Sequence, residues 1–234
     1  PNPGPGLHAT RVIVRCSEDS RKANDTLATS VVVPPPPVVI NEVMSKPLGK
    51  DCEWLEVLNH SASALSLEDW TFEDSGGKPR RITDRGLSLK PGAYAVLVEN
   101  EAAFSGAYGE SSQVVYFKPA GGWPTLNDVE GPFGFADAIV LRDGFGTSVD
   151  SMAYGERWAR PGFSIERISP DGPSGDPANW SPHYGGPGGS PGRRNSVSFF
   201  LPQGEDILRL SPSTFTPDGD GQDLLALMRA RGAT

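Results

Sequence analysis

Two neighbouring segments decide the fold, "VVINEVM" (residues 38–44) and "EWLEVLN" (residues 53–59). Each runs for seven residues, is rich in Val, Ile, Leu or Trp, and carries a few polar residues among apolar ones. That composition and length predict β-strands. Working outward, the same pattern recurs in "RVIVR" (11–15), "ATSVVV" (28–33), "AYAVLVE" (93–99) and "SQVVYF" (112–117). It returns in "DAIVLRD" (137–143), "SVDSMAY" (148–154) and "FSIERI" (163–168). Only "NEAAF" (100–104) and "DLLALMRARG" (223–232) read as helical. Many short strands joined by turns predict an all-β chain, a β-sandwich first and a barrel as the alternative.

The bulk numbers agree with that class. Of 234 residues, 28 are Gly and 23 are Pro, a share suited to turns and linkers. The formal net charge of −8 argues against a nucleic-acid surface, which needs a basic stripe. No apolar run is long enough to span a bilayer as a helix. The start "PNPGPGL" has no initiator Met and no basic-apolar leader, so it reads as the interior of a longer chain. Cys16 and Cys52 are too few for a disulfide framework; pairing across a domain junction and two free thiols both remain open.

Punctuation divides the chain. "PPPP" (34–37) cannot sit inside a sheet and favours a stiff spacer of about 3 Å per residue. Residues 1–33 hold two strands that cannot bury a face alone. Residues 38–197 form a full domain, and 198–234 form the start of a further, incomplete module. Inside the domain, residues 169–196 are so rich in Pro and Gly that regular strands are not expected there. Trp158, Trp180 and Tyr184 are expected to pin that loop to a sheet face.

The central piece resembles the lamin-tail domain, an immunoglobulin-like sandwich of nuclear lamins and of many bacterial surface and secreted proteins. The resemblance rests on "VVINEVM", "EWLEVLN", "LSLEDWTFEDSGG", "LKPGAYAVL", "DAIVLRDGFGTSVDSMAYG", "SIERISP" and "NWSPHYGGPGGSPGRRNS" in that order, and departs over residues 103–134. It implies Glu42, Glu53, Trp54, Glu56, Asn59 and Trp70 as structural motif residues. Residues 6–33 resemble the last hairpin of a bacterial CARDB-like adhesion domain. "LSPSTFTPDGDGQD" (210–223) resembles the opening of Ig-like modules near the C-termini of bacterial secreted proteins.

Strict alternation places Glu42 on a face with Val38, Ile40 and Met44, and Glu56 with Trp54 and Leu58. Glu53 falls with Leu55 and Val57. A carboxylate on an apolar face is costly unless it is hydrogen-bonded or paired. Such carboxylates either form a catalytic pair or metal site, or accept backbone N–H groups and pair with Arg167, Arg142 or Arg81. The second reading is the stronger, since satisfied buried carboxylates outnumber active ones. The three histidines, His8, His60 and His183, have no zinc spacing, and no nucleophile elbow or phosphate loop occurs.

Trp158, Trp180 and Tyr184 are candidates to stack on a sugar, against the stronger reading that they pack the fold. Asp218, Asp220 and Asp223 are candidate calcium ligands. An EF-hand needs Glu at the twelfth position of its loop, and counting from Asp218 that place is Arg229. A Gly-Asp turn capped by Asp side chains is the favoured alternative.

The resemblance implies a non-catalytic structural or interaction module of a multidomain extracellular bacterial protein, secreted or on the cell surface. Its expected partners are neighbouring domains of the same protein and an unnamed protein or polysaccharide, with no nucleic acid, no membrane span and no cofactor beyond the candidate calcium. A carbohydrate- or cell-wall-binding accessory module and an accessory part of a secreted hydrolase or nuclease are the alternatives.

Overall fold

A computed structural model of the chain describes residues 6–15, 17, 25–49, 51–83, 86–109, 115–117, 121–132, 134–198, 208–209 and 229–230. In chain order the first strands are β1 (Gly6–Ile13), β2 (Thr26–Val33), β3 (Val38–Met44), β4 (Trp54–Asn59), β5 (Leu65–Ser66), β6 (Thr71–Glu73), β7 (Arg80–Arg81), β8 (Ser88–Leu89) and β9 (Tyr94–Val98). Helix α1 (Glu101–Tyr108) follows. The rest are β10 (Val115–Phe117), β11 (Asp137–Arg142), β12 (Ser148–Tyr154), β13 (Ile165–Arg167), β14 (Trp180–Pro182), β15 (Leu208–Arg209) and β16 (Arg229–Ala230).

The larger sheet has the order β10-β9-β4-β3-β13-β14, and the smaller has β12-β11-β6-β7. Pairing is antiparallel except at β10, which lies parallel to β9. The two sheets face each other across a core of Val38, Ile40, Val43, Leu55, Val57 and Ile165 on one side and Phe72, Ile139, Leu141, Met152 and Tyr154 on the other. The chain is thus an all-β immunoglobulin-like sandwich, as the strand pattern predicts.

One departure from strict alternation matters. The register of β3 on β4 slips between Ile40 and Glu42, so Asn41 is the extra residue of a β-bulge. Val38 and Ile40 point into the sandwich core before the bulge, and Val43 does so after it. Glu42 therefore shares the outer face with Met44, and not with Val38 and Ile40. That outer face is itself covered: β3 and β4 are buried along their whole length. A second apolar cluster there joins Met44, Cys52, Trp54, Val96 and Val98 to Phe104 of α1.

Helix α1 forms where "NEAAF" predicts it. Asn100 accepts the Ala103 N–H at 3.1 Å as N-cap, Glu101 sits in the first turn, and Gly109 ends it at positive φ. The helix lays Phe104 and Tyr108 edge-on against the Trp54 ring, at centroid distances of 5.9 and 5.6 Å. Cys52 is a buried free thiol that donates to the Asn100 carbonyl, while Cys16 lies outside the described residues.

Residues 169–196 are more ordered than their composition suggests, because they include β14 and a short 3₁₀ turn, Pro177–Asn179. Among the described residues, β1 and β2 pair with each other in a two-stranded sheet. The second compact unit, residues 199–234, contributes a β15–β16 pair with Leu208 opposite Ala230. Arg229 and Ala230 are therefore strand residues, against the helical expectation for 223–232; cross-strand pairing overrides their local preference.

Candidate functional site

Three glutamates lie side by side across the outer face of the larger sheet. Glu166 of β13 is the register partner of Glu42 of β3, which is the partner of Glu56 of β4. Directly opposed residues on neighbouring strands have Cβ atoms about 5 Å apart. All three side chains are fully buried. The cover is residues 183–198, which run over the sheet as turns and bends.

This cover supplies most of the donors, and Ser164 and Asn41 supply the others. Ser190 N–H and the Ser164 hydroxyl both donate to Glu42 Oε1, at 2.7 and 2.6 Å. The Ser190 hydroxyl lies 3.1 Å from Glu42 Oε2 and 2.7 Å from Glu166 Oε1. Glu166 Oε1 also meets His183 Nδ1 at 2.7 Å, and Oε2 accepts from the Ser196 hydroxyl and Val197 N–H. Glu56 accepts from Gly192 N–H and from the Asn41 side chain. The bulge thus gives Glu56 its partner, since Asn41 turns its amide onto that carboxyl and onto Asn195.

Burial pushes the Glu42 carboxyl up to about 8, with neighbouring Glu166 adding to the rise and the two serines opposing it. Glu56 is also raised well above the usual carboxylate range, by burial first and by Glu42 second. Packing over the row is tight. A Cβ at Gly189 would stand 2.6 Å from Glu42 Oε1, 2.8 Å from Trp54 Cζ2 and 2.9 Å from Ser164 Oγ.

Beside the row, Arg167 is a buried junction. Its Nε donates to the Ile40 carbonyl at 2.6 Å, Nη1 to the Gly172 carbonyl, and Nη2 to Asp150 Oδ2 at 2.7 Å. The guanidinium carbon sits 4.8 Å from the centroid of the Trp180 ring. Burial raises Asp150, and the Arg167 guanidinium, Ser174 hydroxyl, Ile40 N–H and Ser151 N–H pull it back. One side chain therefore joins β13, β3, β12 and the 169–180 loop.

The predicted motif residues separate into different roles. Glu42 and Glu56 come together, but Glu53 does not join them: its Oε2 accepts from Trp123 Nε1 at 2.8 Å and Leu126 N–H at 3.0 Å. Burial raises Glu53 to about 7, with those two donors opposing the rise. Asn59 closes the turn after β4, donating to the Ser63 and Leu89 carbonyls and accepting from Ser61. Trp54 stands on the outer face under α1, and Trp70 packs in the sandwich core. None of the three arginines expected to neutralise the glutamates does so. Arg167 pairs with Asp150, Arg142 with Glu73 and Arg81 with Asp69.

Trp158, Trp180 and Tyr184 do not form a stacking row. Trp180 is buried, with Nε1 donating to the Ser174 carbonyl, and Trp158 is half-buried under Arg157. Tyr184 is 80% exposed, so it does not pin the loop either. Asp218, Asp220 and Asp223 lie outside the described residues. Glu166, Ser164, Ser190 and His183 are the site residues that sequence reasoning missed. The available signal was "SIER", a third apolar strand with one glutamate, like "INEV" and "WLEV".

Glu42, Glu166 and His183 bring ligand-type atoms within 4.8 Å of one another. Their carboxylate oxygens are all engaged with serine, histidine or backbone groups, and the backbone at Gly189 closes over them. What the arrangement can do is bind the cover to the sheet and hold protons.

A family model for the lamin tail domain matches residues 33–156, just over half of the chain. The chain belongs to the lamin tail domain family. No curated protein matches it significantly. The lamin tail match contains Glu42, Glu56, the bulge, α1 and Asp150. Glu166, Arg167, His183 and the cover lie beyond it, yet β13 and β14 complete the same six-stranded sheet. No helix among the described residues is long and apolar enough to cross a membrane.

Proposed function

We propose that this lamin tail chain is a non-catalytic structural and interaction module of a multidomain extracellular bacterial protein. The observation that carries the reading is the closure of the glutamate row. The chain's most chemically pointed carboxylates are fully buried, and each of their oxygens lies within hydrogen-bond distance of an internal partner. General acid-base work and sugar hydrolysis need a carboxyl that a substrate can reach. The module's work is contact through a rigid sandwich that presents or spaces neighbouring domains.

The β1–β2 hairpin supports that reading. Val12, Val14, Leu27 and Val31 alternate onto one of its faces and are all exposed. Such a face suits a neighbouring domain, in keeping with the resemblance of residues 6–33 to part of a CARDB-like module and of 210–223 to the opening of a further Ig-like one. Secretion and surface location follow from that resemblance. The carbohydrate-binding reading loses support for its stacking row, because Trp180 is buried and Trp158 half-buried.

The test is turnover. The whole chain and a Glu42→Gln variant are incubated with polysaccharide, cell-wall and nucleic-acid substrates. The expected result is no product above buffer from either. Turnover by the wild type that disappears in a folded Glu42→Gln variant would sink the proposal.

A further inference from the structure

We propose that residues 189–198 are a proton-latched strap, held on the sheet while Glu42 carries a proton on Oε2 and released from it when that proton leaves. One hydroxyl sits at the centre of the row. Ser190 Oγ lies within hydrogen-bond distance of both Glu42 Oε2 and Glu166 Oε1, and a serine has one proton to donate. If both carboxyls were ionised, one of the two contacts would set oxygen lone pairs against each other. Both are favourable when Glu42 Oε2–H donates to Ser190 Oγ and Ser190 donates to Glu166 Oε1. Glu42 Oε1 then stays an acceptor, which is the role its two donors, Ser164 Oγ–H and Ser190 N–H, assign to it.

The surrounding charges favour that proton. Glu42 faces Glu56 from β4 and Glu166 from β13, Tyr94 from β9, Tyr108 from α1 and His183 from the cover, and Arg194 of the cover acts on Tyr94. Arg81, Arg142 and Arg167 spend their charge away from the row, on Asp69, Glu73 and Asp150. The upward shift of Glu42 from burial and Glu166 agrees with this placement.

Among the described residues, the strap meets the sheet mainly through these bonds. Backbone pairing anchors its upstream edge, where Ser164 N–H donates to the Gly188 carbonyl and Gly188 N–H to Gly162. Among the described residues, the backbone bonds within 189–198 are local, Arg193 to Ser190 and Ser198 to Asn195. Its ties to the sheet are Ser190, Gly192, Ser196 and Val197 on the glutamates, and Asn195 on Asn41 and the Arg167 carbonyl. Gly188, at φ 134°, is a ready hinge at the anchored edge. Loss of the Glu42 proton turns the Ser190 contact repulsive and adds a charge to a buried row, so the strap is the element that yields.

Arg193 and Arg194 are exposed within the strap and offer a readout. Tryptic cleavage after these residues is followed in the whole chain, normalised at each pH to an unstructured reference peptide. The wild type is expected to be cut about tenfold faster at about pH 9 than at about pH 6.5, since cleavage tracks the open population. Glu42→Gln places an amide N–H₂ where the proposal places the O–H, and is expected to be cut slowly at both. A pH-independent wild-type rate, or a Glu42→Gln variant that keeps the rise, overturns the proposal. Should Glu42→Gln not fold, wild-type amide exchange corrected for intrinsic chemistry decides instead. Selective loss of protection in 189–198 with β4 still protected supports the latch, and uniform or absent loss refutes it.

Discussion

At the scale of single residues, the chain places one glutamate in each of three adjacent strands and covers them all. A carboxyl raised by burial ties stability to pH in a definite direction. Glu42 titrates at about 8 in the fold against an ordinary 4.5, so between those values the folded chain binds more protons than the unfolded one. Its contribution is complete below about pH 4.5 and is lost as pH rises through about 8. The urea midpoint of the wild type should therefore fall from about pH 5 to about pH 9, and Glu42→Gln should flatten that fall. A midpoint that rises over the same range would contradict the assignment. Glu42 and Glu56 were legible as apolar-strand carboxylates that need donors. Their donors were not, because Ser190 and Gly192 lie more than a hundred residues away along the chain. The arginine partners expected for them were wrong for a related reason: which acid an arginine meets depends on the sheet order, not on the spacing of charges.

At the scale of elements, one bulge and one arginine connect the layers. Strand positions were readable from β-branched and aromatic runs, and α1 from its Asn cap, since these signals are local. The bulge at Asn41 left no such mark, and it alone reverses the faces that alternation assigns to Val38, Ile40 and Glu42. The 169–196 loop was misjudged because its order comes from side-chain hydrogen bonds to Arg167 and Asn179 and not from strand-forming composition. Arg167→Met should destabilise the chain by about 3–5 kcal/mol, because it strands Asp150 in a buried site. Adding Asp150→Asn should restore part of that loss in urea denaturation. If Arg167→Met alone leaves the midpoint unchanged, the junction does not join the elements in the way described.

At the scale of the whole molecule, the sandwich is closed on both faces of its larger sheet: by the second sheet on one side, and by α1 and the strap on the other. That double cover makes the acidic face an interior, which is the ground for the structural role proposed for these carboxylates. On this reading the glutamate row is a sealed, proton-holding part of the fold. Infrared difference spectroscopy of the carboxyl C=O stretch at neutral pH, wild type minus Glu42→Gln, tests it most directly. The account predicts a protonated-carboxyl band in the wild type that is missing from the variant; a spectrum showing only ionised carboxylate in the wild type would contradict it.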